Sequence, residues 1–399
     1  MKILLVNKFL FERGGAEAYV FRLGNYFSSI GHEVQFFGME DKRNIVGNEG
    51  NVYVKSIDFH KKSAEMLLYP FRIIYSLEAR RKMRRIIKLF KPNIVHLNNF
   101  NYQITPSIIY EIRKHNIPIV YTAHDYQLIC PNHMLYQPKK GIICEECITS
   151  GFTRCVLNNC IHGSKFRSIL GFFESALYHG LNTYSLIDKV ICPSEFMEKK
   201  ILSTSCFQGK TVMMHNPFQK AAEKRVINKK NYVIYFGRFS IEKGIRTLIN
   251  VCSRLPEIQF VFAGEGPLEH LVKGIPNIKN AGFLTGDDLK KMISEARFSI
   301  YPSEWYENNP FSVIESIAYG TPVIGAEIGG IPEIIKNGNN GLLFQSANAD
   351  DLTEKILLLR NNHSLLEEMT KNSLDTKFET PECHGQKLFD LYKQAANRE

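Results

Sequence analysis

Short apolar runs alternate with stretches that carry an apolar residue every three or four positions along this 399-residue chain. Lys2 to Val6 reads as a buried strand, followed by a loop ending at Gly14-Gly15. Val20, Leu23, Phe27 and Ile30 then repeat at helical spacing until Gly31, and His32 to Phe37 reads as the next strand, closing a β-α-β unit. Asn93 to Leu97, Ile117 to Tyr121 and Lys189 to Cys192 continue the strand series, the last after a cysteine-dense insert at 126–164. Asn216-Pro217 and the polar run Gln219 to Asn231 read as a linker. A second series comes next, with strands at Tyr232 to Phe236, Gln259 to Ala263, Phe298 to Tyr301, Pro322 to Gly325 and Leu342 to Phe344, and a helix at Thr247 to Arg254. Pro310 suits the first turn of another helix, which runs through Ile314, Ile317 and Ala318 to a stop at Gly320. The alternation predicts an α/β protein of two domains with parallel sheets.

Composition narrows the class. With 44% hydrophobic residues the chain has material for two cores, which argues for a globular protein and against disorder. The N-terminal apolar run is too short and too charged for a signal peptide, and no stretch of 18 or more apolar residues comes later, so a cytoplasmic protein is expected. Nine cysteines, an odd number, are then expected to be mostly reduced thiols. The net charge of +10 implies an anionic partner, and it is concentrated at 59–92, where ten cations stand against Glu65 and Glu78 among apolar residues at helical spacing. That face suits an anionic membrane surface, where the protein would sit peripherally; an ordinary solvated helix face is the alternative. Nucleic acid is disfavoured because no recognisable binding module accompanies the charge.

Candidate chemistry centres on Tyr301 to Gly320, YPSEWYENNPFSVIESIAYG. Glu307 lies in a turn-rich loop and Glu315 about a turn and a half into the helix that Pro310 opens. The unpaired amides and partial positive charge of a helix start favour a phosphate, and flanking carboxylates can hold hydroxyls. Arg238 and Lys243, in the loop after Tyr232 to Phe236, can neutralise a diphosphate. Gly14-Gly15 lets a ligand approach the backbone or forms a plain turn; the three-glycine dinucleotide pattern is absent. His124 and Asp125 stand at a strand end, where open α/β sheets bind ligands, although His96 occupies a similar position. Five cysteines, Cys130, Cys144, Cys147, Cys155 and Cys160, fall in the insert at spacings permissive for zinc; buried reduced thiols and a disulfide formed on oxidation are the alternatives.

These pieces together resemble the retaining nucleotide-sugar glycosyltransferases of family 4. The likeness rests on GGAE at Gly14 to Glu17, His124-Asp125, GRFSIEKG with Arg238 and Lys243, AGEGP from Ala263, the glutamate pair, and GGIPEII from Gly329. It implies the GT-B fold, two Rossmann-like domains with parallel sheets facing a central cleft. An acceptor-binding domain would span 1–217 and a donor-binding domain 218–382, with a C-terminal helix at about 383–399 crossing back onto the first. By the same resemblance Arg238 and Lys243 bind the donor diphosphate, Glu315 the ribose and Glu307 the transferred sugar. Asn309 and Phe311 lie in the donor site, Gly15 contacts the phosphate, and His124 touches the donor sugar or positions the acceptor. The sequence Glu307-Asn308-Asn309-Pro310-Phe311 departs from the Glu-Pro-Phe-Gly of many members. Relatives also carry cysteines resembling Cys130, Cys144, Cys147 and Cys160, which makes that quartet the implied structural zinc set and Cys155 the spare.

The expected reaction moves a sugar from a nucleotide-sugar donor to a glycan or lipid-linked glycan in cell-surface polysaccharide synthesis. UDP-sugars are the default donor, with GDP-mannose as the other choice. Cationic side chains and the helix start would stabilise the leaving diphosphate, so no catalytic cofactor is expected, in keeping with the lack of an Asp-x-Asp pattern. A sugar-nucleotide epimerase and a basic phosphate- or nucleic-acid-binding protein are the competing readings.

Overall fold

The structure is a computed structural model that describes residues 1–56, 69–219 and 229–397. The chain divides into two compact units. The first comprises Met1–Leu135, Cys144–Asn216 and Thr380–Glu399, and the second Tyr136–Ile143 and Pro217–Glu379.

The first unit is built on a parallel six-stranded sheet. Its strands are β1 (Lys2–Val6), β2 (Glu33–Phe37), β3 (Ile94–Leu97), β4 (Ile119–Thr122), β7 (Lys189–Cys192) and β8 (Thr211–Met213). Their order is β2-β1-β3-β4-β7-β8. Ile3 to Val6 and Ile94 to Leu97 have no exposed surface, which is why they read as unbroken apolar runs rather than alternating ones. The α-helices described before β7 are α1 (Gly15–Ser29), α2 (Tyr69–Ile74), α3 (Leu77–Phe90), α4 (Ser107–Lys114), α5 (Glu146–Ser150), α6 (Thr153–Leu157) and α7 (Lys165–Gly180).

The last helix, Pro381–Asn397, also belongs to this unit. Its Tyr392 hydroxyl lies 2.6 Å from Nδ1 of His96, whose Nε2 lies 2.8 Å from Thr122 Oγ1. Its His384 Nε2 lies 3.0 Å from the Tyr19 hydroxyl. Burial lowers the His96 pKa to about 3, so this strand-end histidine is a neutral tie between sheet and helix.

The second unit holds β9 (Val233–Phe236), β10 (Phe260–Ala263), β11 (Ile278–Gly282), β12 (Ser299–Tyr301), β13 (Val323–Ala326) and β14 (Gly341–Phe344), all parallel and in the order β11-β10-β9-β12-β13-β14. It also takes in the hairpin β5 (Tyr136–Gln137) and β6 (Ile142–Ile143), so the insert expected as one piece at 126–164 is split between the units. Each sheet reverses its winding once, between β1 and β3 in the first unit and between β9 and β12 in the second. Such a switch point leaves a crevice at the carboxyl ends of the strands.

The basic stretch at 59–92 is less available than its sequence suggests. Lys61 and Lys62 lie outside the described residues. Arg80 and Arg84 both bond the buried carboxylate of Glu111 on α4, at 3.2 and 2.6 Å, and Arg72 bonds Glu78 at 2.6 Å. The Arg84 hydrogen bond is the main reason Glu111 stays ionised with a lowered pKa despite its burial. Arg81, Arg85, Lys88 and Lys91 remain exposed.

Candidate active site

In the second unit the switch point carries the loop after β9, which holds Arg238 and Lys243, and the loop after β12, which holds Glu307. The Lys243 ammonium lies 2.5 Å from Glu307 Oε1 and donates to the Tyr301 hydroxyl at 3.1 Å. The same carboxylate oxygen accepts from Ser303 Oγ at 2.9 Å and from the Trp305 indole Nε1 at 2.6 Å. Lys243 also stands 5.4 Å from the Trp305 ring centroid. Lys243 and Glu307, assigned to separate tasks by the resemblance, thus form one ion pair, with side chains 19% and 8% exposed. Arg238 points more outward and is paired with Glu242, whose Oε1 also accepts from Ser240 Oγ at 2.7 Å.

Glycines hold these loops together. Gly244, with φ +70°, ends the β9 loop where a Cβ would fall 1.8 Å from the Pro302 carbonyl oxygen. Gly329, with φ +60°, brings the loop after β13 so close that a Cβ would lie 2.4 Å from the Glu307 carbonyl oxygen. That oxygen accepts from the Gly330 amide at 2.7 Å. Both conformations favour glycine, so GRFSIEKG and GGIPEII owe these residues to loop packing. Asn309 is buried, and Phe311 and Glu315 are half-buried on or just before the helix Phe311–Ala318, which Pro310 precedes.

The first unit gathers a second polar cluster at the carboxyl ends of β1, β3 and β4. The Lys8 ammonium donates to Asn101 Oδ1 at 2.6 Å, and Asn101 Nδ2 reaches Asp125 Oδ2 at 3.2 Å and His133 Nδ1 at 2.9 Å. Burial raises the Asp125 pKa to about 6 against the opposing pull of the Gln127 amide and Lys8, and lowers His133 to about 3. His124 Nε2 lies 2.9 Å from Asn98 Oδ1, and its ring meets Tyr19 edge-on at 5.2 Å. Burial lowers its pKa to about 4, so His124 is a neutral imidazole near pH 7. Gly15 is exposed at the start of α1, where Glu17 in the first turn is buried and accepts from Asn7 Nδ2 at 3.3 Å.

Sequence reasoning missed Trp305, Ser303 and Glu242 in one unit and Lys8, Asn101 and His133 in the other. Trp305 carried a signal, being the one tryptophan of the chain inside the stretch already singled out. Ser303 shared the signal of that stretch, and Glu242 stands inside GRFSIEKG between Arg238 and Lys243; Lys8, Asn101 and His133 carried none, because their roles arise from loops meeting across strands distant in sequence.

In the insert, Cys130, Cys147, Cys155 and Cys160 are buried and Cys144 is half-buried. Cys155, set aside by the resemblance, has no exposed surface and hydrogen-bonds Cys160. Among the described residues no three His, Cys, Asp or Glu side chains are arranged to hold a metal ion as they stand. Instead Cys147, Cys155, Cys160 and Ile161 form a small apolar core, and burial pushes the Cys130 thiol up to about 11.

Comparison with known proteins gives the family. The model described as Glycosyltransferase Family 4 matches residues 13–219, more than half of the chain. The chain belongs to that family. The model for glycosyl transferases group 1 matches residues 218–375, so the two matches meet at the boundary between the units. A sulfoquinovosyl transferase of Arabidopsis thaliana is 34% identical over 146 residues, spanning 35% of this chain and only 28% of that protein. An uncharacterized glycosyltransferase of Methanocaldococcus jannaschii is 24% identical over 345 residues, 83% of this chain and 88% of that one. Among solved structures, Anabaena HepE in complex with UDP-glucose superposes with a TM-score of 0.69 at 14% identity, covering 99% of this chain and 100% of that one. The fold is therefore GT-B, and the protein is a glycosyltransferase. Among the described residues no helix is long and apolar enough to cross a membrane.

Proposed function

We propose that this glycosyltransferase moves a hexose from a UDP-sugar to a glycan or lipid-linked glycan, with retention of configuration, in cell-surface polysaccharide synthesis at the cytoplasmic side of the membrane. The observation that carries the reading is the pairing of Lys243 with Glu307 at the β9/β12 switch point, with Arg238 on the same loop. Bond breaking places charge on the leaving diphosphate. Arg238 and Lys243 are fixed cations that stabilise it where it develops, and a preorganised site avoids the cost of turning water dipoles. Diphosphate binding competes with Glu307 for the Lys243 ammonium, which turns the Glu307 carboxylate toward sugar hydroxyls. Glu315 would take the ribose, with Asn309 and Phe311 beside it. In the first unit Gly15 would meet the phosphate, and neutral His124 would accept a sugar hydroxyl or position the acceptor.

A UDP donor is supported by the HepE complex, whose fold this chain shares. The test is release of nucleoside diphosphate from UDP-glucose, UDP-galactose, UDP-N-acetylglucosamine and GDP-mannose. A UDP-sugar turned over selectively supports the reading; GDP-mannose alone, or isomerised donor without release, overturns it. Proton NMR of the product anomer decides retention. A structural zinc on Cys130, Cys144, Cys147 and Cys160 is a separate proposal, supported by the nearness of the other three thiols to Cys147, which each disfavour its ionisation. Near one equivalent of zinc in protein purified without chelator supports it, and none removes it.

A further inference from the structure

Helix α7 is turned the opposite way from an ordinary surface helix. Its buried positions are Ser168, Gly171, Glu174, Ser175 and Tyr178, mostly small or polar. Its outward row is Phe166, Ile169, Leu170, Phe173 and Leu177, spaced as one helical face. Phe166 is 61% exposed and Phe173 53%, and the two lie about 10 Å apart along the axis at the usual rise per residue. The inward face is small because it has to be: a Cβ on Gly171 would fall 2.3 Å from the Ile161 side chain. The inward carboxyl, Glu174, is kept neutral at pH 7 by burial, with a pKa raised to about 8.

Helix α2 extends the surface. It is tied to α7 by the Tyr178 hydroxyl, which donates to the Ile74 carbonyl at 2.8 Å, and by Tyr75 stacking on Tyr178 with centroids 6.3 Å apart. It carries Phe71, which is 71% exposed. Lys165 and Arg167, both exposed, flank Phe166. Neither α2 nor α7 has any acidic residue but the inward Glu174.

We propose that α2 and α7 dock the protein onto an anionic lipid bilayer, with Phe71, Phe166 and Phe173 entering the boundary between headgroups and acyl chains and Lys165 and Arg167 meeting lipid phosphates. Exposed phenylalanines beside cations, with no exposed carboxylate among them, are the makeup of an interfacial helix. A second copy of the chain fits less well, because a self-complementary contact would set Lys165 and Arg167 against their own like charges with no outward carboxylate to pair them, whereas a bilayer supplies phosphates. Phe71 belongs to the basic stretch at 59–92, whose exposed Arg81, Arg85, Lys88 and Lys91 add to the attraction, while Arg72, Arg80 and Arg84 are held by internal carboxylates. The surface deepens the reading of a lipid-linked acceptor and rests on it only for the reason a bilayer would be near.

The experiment is sedimentation of the full chain with vesicles of pure phosphatidylcholine and of equal parts phosphatidylcholine and phosphatidylglycerol, without donor or acceptor. Binding is expected to the anionic vesicles only and to weaken as salt rises. The paired change Phe166→Glu and Phe173→Glu should lower it about tenfold or more, while Lys165→Ala with Arg167→Ala should weaken the preference for anionic lipid. UDP binding, measured by calorimetry on the same proteins, should not change, so a failure of the donor reading shows separately from a failure of the docking surface. No binding to either vesicle, binding unaffected by the glutamates, or a wild-type dimer that the glutamates convert to monomer overturns the proposal.

Discussion

Removing the Lys243 ammonium tests the site most directly, because it leaves the Glu307 carboxylate 8% exposed and without its cation. Breaking a buried pair by deleting one partner costs about 3 to 5 kcal/mol. Here Lys243 is itself 19% exposed, and Ser303 and Trp305 still donate to Glu307 in the variant, so the lower end, about 3 kcal/mol, is expected for Lys243→Met. Glu307→Gln alone should cost less, since the ammonium it leaves behind reaches more solvent. The double variant should lose less than the two single losses combined, by about 1 to 2 kcal/mol of coupling. Urea unfolding measures all four proteins. Trp305 makes it a local measurement, since it is the chain's one tryptophan and its indole donates to Glu307, so its emission reports on this loop. The same emission followed against UDP should show binding to the wild type, and Lys243→Met should weaken that binding by about 1.5 to 3 kcal/mol, as for loss of a charged hydrogen bond. Additive stability losses with unchanged UDP binding would refute both the pair and its role.

Other parts of the molecule give three more expected outcomes. Glu174 has a folded pKa of about 8 against an ordinary value of 4.5, so unfolding releases its proton between those values and stability falls as pH rises through that window. Glu174→Gln should flatten the fall, by up to about 1.4 kcal/mol per pH unit, in melts taken from pH 5 to 8; parallel curves for variant and wild type would count against it. His124→Ala is expected to lower turnover by about tenfold or more with UDP affinity nearly unchanged, and because burial keeps His124 neutral above about pH 5, its loss should not alter the pH profile between about 6 and 8. A turnover within twofold of wild type would make His124 a structural residue. Gly329→Ala meets both a left-handed backbone and the Glu307 carbonyl, and a loss of about 1 to 3 kcal/mol is expected in thermal unfolding; a neutral result would show that the loop yields freely.

Much of the fold was legible because strands buried on both faces leave continuous apolar runs. Lys2–Val6 and Lys189–Cys192 match their expected limits, and the other expected strands shift by one or two residues. Besides the two strands of the hairpin in the insert, two strands were missed, both at the edges of the six-stranded sheets. Ile278–Gly282 reads IKNAG, with one buried residue, and Thr211–Met213 is three half-buried residues, so neither has the apolar run that marks an inner strand. The split insert was illegible for another reason: which unit takes up 136–143 depends on tertiary packing, and its two short strands carry no periodicity to announce it.

The candidate site was legible as parts and not as partnerships. Lys243 and Glu307 were each visible, 64 positions apart, and nothing in either local sequence says that they meet. The strand order says it. Once β9 and β12 lie side by side, the loops after them converge, and a cation on one loop beside a carboxylate on the next is the low-energy way to bury both. The pairing explains why the glycines around it are constrained, since Gly244 and Gly329 bring the backbone of these loops within reach of one another. It also gives the site its chemical logic. An ammonium held by a carboxylate is oriented before any ligand arrives, and an incoming diphosphate, with more charge than Glu307, can share it without the side chain having to move far. In the proposed reaction, binding of the anion would free the carboxylate for neutral hydroxyls, so that one ion pair would serve both ends of a nucleotide-sugar bond.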